Sequence, residues 1–334
     1  MKGVVPSVLD SLELRGTGGG RVVEFPNRML LAPMEGITDP LFRALVLELR
    51  GVGGASTEFV RVTNHAVRRD KIGRELDVSR DGAPVALQLM AAGPEWVAET
   101  IAEAEAAGAI WIDLNFGCPV KRVFGKGAGS ALLDDPARLH AICAAAVGAT
   151  DRPVSAKLRV GVRDDTRLDE LIDAAGDAGV QLITLHARRR IDSYETPARW
   201  EWLAQAAQRV HARYPGVVFV GNGGVESAAD AHEMMMVTGC DMVMVGRAAL
   251  ANPFLFNEAQ GAPPATRTEA ARFALAYLDG LTTGRHPERA LGRFKQLVRQ
   301  FRAGGLFDAV RQRLLRTGNP DEVRAFLRGT LLGT

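Results

Sequence analysis

Cysteine is scarce: three residues, Cys118, Cys143 and Cys240, in a chain of 334. So sparse and odd a count builds no disulfide framework. Without a Cys-x-x-Cys pair or a His/Cys cluster, no metal site is expected either. The matching expectation for compartment is a reducing one, the cytoplasm. Long apolar runs are also missing. No stretch approaches 18 residues free of charge, so no membrane span is expected. At the N-terminus Pro6, Asp10 and Glu13 interrupt the apolar centre that a signal peptide needs. Net charge is small, +2, and by itself names no polyanionic partner. What is abundant is apolar surface: 47% of the residues are hydrophobic, too many for a disordered chain.

The charge is unevenly spread. Residues 260–334 carry 13 Lys and Arg against six Asp and Glu, a local +7, which leaves −5 for residues 1–259. Segregation of this kind marks a part of the chain that meets something acidic.

From Met29 onward, short apolar runs alternate with amphipathic stretches. The runs are Met29–Pro33, Ala55–Phe59, Pro84–Met90, Ala109–Asn115, Pro153–Arg159, Val180–His186, Val217–Asn222 and Asp241–Gly246. Eight nearly continuous apolar strands, each followed by a helix or long loop, predict a parallel sheet buried on both faces. A doubly wound sheet uses the same alternation, but the length favours a (β/α)8 TIM barrel over residues 28–259. Residues 1–27, with Gly16-Thr-Gly-Gly-Gly20, read as a loose leader. After the Pro/Ala-rich segment 260–267 no strand-like run follows. Helical stretches near 268–283, 287–303, 306–316 and 320–332 predict a small, basic, all-helical domain over 260–334.

Function in a barrel collects at the C-terminal ends of the strands. Here those ends carry polar groups: Pro33-Met34-Glu35, Arg61, Gln88, Asn115, Lys157, Arg159 and His186. Buried Gln, Lys and His need partners, and one polar ligand can serve them all. Asn222-Gly223-Gly224 and Gly246-Arg247 close the last two strands with unshielded backbone N–H groups and a guanidinium. Barrels commonly bind phosphate there. Tight turns alone would explain either motif; the two together favour a phosphate-bearing cofactor. Cys118 stands apart in Asn115-Phe-Gly-Cys-Pro119, on a loop rather than in a packed element. It could serve as a nucleophile, although no His follows at a recognisable spacing. A thiol with an ordinary pKa of about 8.5 is protonated at neutral pH and can act as a general acid. Cys143 and Cys240 read as small hydrophobes.

The set LAPMEGITDPLFR (31–43), TEFVRV (57–62), LQL (87–89), DLNFGCPVKRV (113–123) and GKGAGSALL (125–133) resembles the tRNA-dihydrouridine synthases. So do KLRVG (157–161), HARRRIDSY (186–194), GNGGV (221–225) and TGCDMVMVGRAALANPFLF (238–256), most like the bacterial C-type branch. Phe116 stands where that branch often has cysteine, and Gly224 where it tends to have glutamate. The resemblance implies an FMN barrel that reduces a D-loop uridine of tRNA to dihydrouridine, with NADPH or NADH as electron source. It implies flavin contacts from Pro33, Met34, Glu35, Gln88, Lys157 and His186, and phosphate contacts from Asn222, Gly223, Gly224, Gly246 and Arg247. Cys118 would be the proton donor, and Arg61, Asn115, Arg159 and Tyr194 would meet the uridine or its tRNA.

In the basic C-terminal part, Arg289 and Arg293, then Lys295 and Arg299, recur at i+4 and form at least one basic stripe. A solvated helix face is one reading of it; a contact for tRNA through Arg293, Lys295 and Arg299 is the other. Two rivals share parts of this pattern. An FMN barrel acting on a small pyrimidine or dihydroorotate needs no +7 appendage. A non-catalytic RNA-binding module would tolerate loss of Cys118 and Lys157, and both are intact. A monomer is expected.

Overall fold

Aliphatic runs too short for helices pair edge to edge in the computed structural model, which describes residues 6–76, 82–284 and 286–333. Two strands come first, β1 (Leu12–Arg15) and β2 (Val22–Phe25). Then follow β3 (Met29–Leu31), β4 (Gly54–Ser56), β5 (Val60–Arg61), β6 (Val85–Met90), β7 (Ile112–Asn115) and β8 (Val154–Arg159). β9 (Leu182–His186), β10 (Val218–Asn222) and β11 (Met242–Val245) complete the set. From β3 onward the strands lie in the order β4-β3-β11-β10-β9-β8-β7-β6-β5, and β4 also pairs with β6, which closes the ring. The pairings around it are parallel. Helices fill the crossovers, among them Val97–Ala106, Pro136–Gly148, Leu168–Asp177, Trp200–Arg213 and Ala228–Thr238. This is the expected eight-stranded TIM barrel. Its second strand is the exception to a single run: β4 and the short β5 flank Thr57–Phe59.

Side chains alternate across each strand, so every second residue enters the barrel. Toward the N-terminal ends of the strands the interior is apolar: Leu30, Ala86, Trp111, Leu182, Val220 and Met242 pack together. Toward the C-terminal ends it turns polar, with Gln88, Asp113, Asn115, Lys157, His186 and Asn222. The residues expected to be a loose leader belong to the first group. β1 and β2 form an antiparallel hairpin, and Leu14, Val23 and Phe25 are buried in the same cluster as Trp111. The Phe25 and Trp111 rings meet edge to face, centroids 5.3 Å apart. The hairpin closes the lower mouth of the barrel, because an open end would leave those apolar side chains against water.

After the barrel come the helices Arg267–Thr283, Ala290–Gln300, Arg311–Arg316 and Pro320–Leu332. The third is shorter than the expected 306–316, since residues 306–310 form turns after the 3-10 turn Ala303–Gly305. Thr266 caps the first of these helices in a capping box with Glu269. Its inner face docks on the barrel helix Pro40–Glu48, where Phe42 stands edge-on to Phe273 and Tyr277, each at 5.9 Å. Arg302 N–H donates to Ala251 O at 2.7 Å, tying the chain after Gln300 to the end of the barrel.

Candidate active site

The polar ends of the strands surround a cavity of about 830 Å³. Its wall contains Pro33, Met34 and Glu35 after β3, Gln88 on β6, Asn115 at the end of β7 and Cys118 after it, Lys157 and Arg159 on β8, and His186 on β9. Asn222 at the end of β10, Gly223 and Gly224 after it, Gly246 and Arg247 after β11, and Tyr194 complete it. Fifteen residues spread over more than 200 positions thus converge because they share one end of one barrel.

On one side runs a chain of amides. Gln88 Nε2 donates to Asp113 Oδ2 at 2.7 Å, and Asn115 Nδ2 donates to Gln88 Oε1 at 2.8 Å. Asn115 Oδ1 in turn accepts from the N–H groups of Gly117 and Cys118, at 3.1 and 3.0 Å. Below, Ser155 Oγ donates to Asp113 Oδ1 at 2.6 Å and accepts from Trp111 Nε1 at 2.9 Å. The Cys118 loop is held from its other face too. Cys118 O accepts from Ser130 Oγ at 2.7 Å. Gly129 (φ +58°) packs so closely that a Cβ there would lie 3.1 Å from Cys118 Cβ. Burial raises the Cys118 pKa above the ordinary thiol value, with Glu35 adding to the effect and Arg61 and Arg159 opposing it. The group therefore stays a thiol at neutral pH.

On the opposite side cations gather. Lys157 Nζ donates to Asn222 Oδ1 at 3.0 Å, while Asn222 Nδ2 donates to Met244 O at 2.7 Å. Burial, reinforced by Arg159, pushes the Lys157 ammonium down to about 8. Burial likewise lowers His186 well below its usual value, and the charges of Arg159, Lys157, Arg188 and Arg247 act in the same direction. The imidazole is neutral. Its Nε2 lies 3.1 Å from Arg188 Nη1. Asp113 is pushed up to about 6 by burial, against the hydrogen bonds of Ser155 and Gln88 and the charge of Lys157. At the mouth the half-exposed Tyr194 ring has Arg159 and Arg247 guanidiniums 5.8 and 5.2 Å from its centroid.

Some expected site residues lie elsewhere. Arg61 is outside the wall, in an ion pair with Glu35 at 2.7 Å. Arg293 faces inward, with its guanidinium 2.6 Å from Asp39. Arg299 is exposed on another face of the helix Ala290–Gln300, and neither it nor Lys295 lines the cavity. Arg293 and Arg299 thus do not share one solvent-facing side of the helix. Conversely, the wall includes Glu58, Arg188, Glu226, Gln300 and Arg302, to which the sequence reading gave no role. Arg188 and Asp113 stand inside the runs HARRRIDSY and DLNFGCPVKRV, and strand alternation, which puts Asp113 on the same face as Asn115, was the available signal for Asp113. Gln300 and Arg302 carry no such signal, because only docking of the last helices brings them to the barrel mouth. Among the described residues no group of three or more His, Cys, Asp or Glu could hold a metal ion. Among them too, no helix is long and apolar enough to cross a membrane.

Residues 30–301 match the family described as Dihydrouridine synthase (Dus). The chain is 38% identical over 237 residues to a tRNA-dihydrouridine(16) synthase of Ralstonia nicotianae, spanning 69% of this chain and 71% of that one. A protein of the same name from Shewanella oneidensis is 33% identical over 287 residues, 82% of this chain and 90% of its own. Another, from Yersinia pestis, is 36% identical over 237 residues, 68% and 74% of the two chains. With a match over the whole barrel and relatives of this likeness over most of the chain, the protein belongs to the dihydrouridine synthase family.

Proposed function

We propose that this protein reduces a uridine of tRNA to 5,6-dihydrouridine, with FMN as its flavin, NADPH as electron donor and Cys118 as proton donor. The observation that carries the reading is one cavity in which four cations face a thiol. Lys157, Arg159, Arg188 and Arg247 line it, and none pairs with a carboxylate among the described residues. Arg159 and Arg188 are buried, and buried charge without a carboxylate partner calls for an anionic ligand.

The residues fit a flavin mononucleotide. At Gly223 (φ +105°) a Cβ would fall 2.8 Å from His186 Cδ2, so only glycine leaves the backbone open there. The N–H groups of Gly223, Gly224, Gly246 and Arg247 make no hydrogen bond to protein among the described residues. With the Arg247 guanidinium they suit a monophosphate. A cavity of about 830 Å³ falls in the range of ligand sites. A flavin held there would supply hydride chemistry, carrying reducing equivalents from NADPH to carbon 6 of the uracil ring. Lys157 holds a positive charge against the anionic ligand. Cys118 gives its thiol proton to carbon 5, and the thiolate regains a proton from solvent. A neutral His186 offers one donor and one acceptor without adding charge. Unstacking a base costs a few kcal/mol, and the exposed Tyr194 ring offers a surface to receive it. The relatives named above are called tRNA-dihydrouridine(16) synthases, and we assign this chain the same uridine, position 16 of the D-loop.

The test is to incubate the purified protein with NADPH and tRNA lacking dihydrouridine, then map the product by position. FMN released on denaturation and dihydrouridine at position 16 are the expected results. Dihydrouridine at another position overturns only the choice of uridine. A reduced flavin indifferent to tRNA but reoxidised by a small pyrimidine would replace this reading with that of a small-molecule oxidoreductase. A protein that binds tRNA but retains no flavin would leave only a binding module.

A further inference from the structure

Asp113 is buried beneath the cavity without lining it, and its carboxylate joins the chain of amides that ends at the Cys118 loop. We infer that Asp113 is a positioning residue: it sets which way the Gln88 and Asn115 amides face and, through them, holds the Cys118 loop. An ionised carboxylate only accepts hydrogen bonds. Gln88 must therefore turn Nε2 toward Asp113, which sends Oε1 to Asn115 Nδ2 and leaves Asn115 Oδ1 for the N–H groups of Gly117 and Cys118. The far end makes the same demand independently, because backbone N–H groups only donate. Turning Gln88 over would set like poles against each other at two contacts, and turning Asn115 over at three. Such unsatisfied buried contacts are costly.

The consequence reaches the ligand. Each amide has one N–H left, and Gln88 and Asn115 both line the cavity. The wall therefore offers donors, suited to a ligand edge of carbonyl groups. Uracil and the flavin ring both carry such an edge; only that identification rests on the proposed function.

Alkylation of Cys118 by iodoacetamide reads the loop directly, since Cys143 and Cys240 are fully buried and Cys118 is 7% exposed. The full-length protein is compared with Asp113→Leu, Asp113→Asn and Gln88→Met. Asp113→Leu removes the acceptor and should speed alkylation about fivefold, the weight of one net hydrogen bond. Asp113→Asn should stay within about twofold of the parent, because the new amide can turn its oxygen to Gln88 while Ser155 accepts its N–H. Gln88→Met cuts the same chain one link further on. It should match Asp113→Leu, and the double variant should react no faster than either single one. Should Asp113→Leu fail to fold, Gln88→Met and Asp113→Asn decide in the same way. Parental rates in Gln88→Met, or an Asp113→Asn protein as reactive as one lacking the chain, overturn the assignment. The assay contains neither tRNA nor NADPH, so a parent unable to form dihydrouridine would end the proposed function without altering this result.

Discussion

Arg293 of the helix Ala290–Gln300 places Nη2 2.6 Å from Oδ2 of Asp39, while Asp39 Oδ1 caps the barrel helix Pro40–Glu48 by accepting from Phe42 N–H at 2.8 Å. One carboxylate thus starts a barrel helix and anchors the last helices to it. Arg293→Met should lower stability by roughly 1–3 kcal/mol, the range for a hydrogen bond to a charged group. Asp39→Ala should cost more, because the helix cap is lost with the ion pair. Urea unfolding of both variants measures this; an unchanged midpoint in Arg293→Met would mean the pair contributes nothing to docking.

Lys295 and Arg299, not Arg293, are then the cations of that helix left for a polyanion. Lys295→Glu with Arg299→Glu should weaken tRNA binding and reduce its salt slope by about one for each contact removed. Flavin content should not change. Binding isotherms over a range of salt concentrations provide the measurement, and parental slopes would leave these two side chains as solvated surface.

Flavin affinity should depend on pH through Lys157. Burial holds the free ammonium at about 8, and a bound anion must draw that value upward. Below about 8 the group is already charged and affinity is flat. Above it, binding has to take up a proton, so affinity falls as pH rises, by at most about tenfold per unit. Titrating the apoprotein with FMN from neutral to alkaline pH should show this bend. Lys157→Met should bind more weakly at neutral pH and lose the bend; a bend that survives in the variant assigns it to another group.

Cys118→Ala should leave reduction of the flavin by NADPH untouched and slow its tRNA-dependent reoxidation roughly 10²–10⁴-fold, the usual weight of a general acid. Because burial keeps the thiol protonated beyond its ordinary range, the tRNA step of the parent should stay level through neutral pH. It should decline only on the alkaline side. Rapid-mixing absorbance of the two half-reactions separates these claims, and equal tRNA rates in parent and variant would remove Cys118 from the chemistry.

Phe25→Ala should destabilise the protein by about 3–5 kcal/mol, as expected for emptying a buried aromatic site. The ring packs on Trp111 at the closed end of the barrel, so Trp111 fluorescence offers a local readout beside the melting temperature. A variant as stable as the parent would mean that the N-terminal residues are after all dispensable.

Strand number, parallel pairing and the cavity wall were legible in residue order. A barrel strand buried on both faces has to be an unbroken apolar run, and polar residues that interrupt such runs at one end have to share one mouth. That reasoning placed Gln88, Lys157, His186 and Asn222 together before any coordinate did. The hairpin of β1 and β2 escaped it. Four-residue strands flanking Gly16-Thr-Gly-Gly-Gly20 carry too little periodicity to be seen, and their burial exists only because the barrel floor is there to receive them. The ion pair of Arg293 with Asp39 was hidden for a related reason. Spacing of i+4 shows which side chains share a helix face, but the face itself is chosen by what the helix packs against.

The sequence by itself determined the local chemistry: which residues accept, donate or carry charge, and the strand ends on which they sit. Only the tertiary structure decided how those groups are engaged. It put Asp39 opposite Arg293, buried Asp113 beneath two amides, and brought Gln300 and Arg302 to the barrel mouth. These contacts join residues far apart in the chain, and their energies depend on burial and distance, neither of which has a local signature in the order of amino acids.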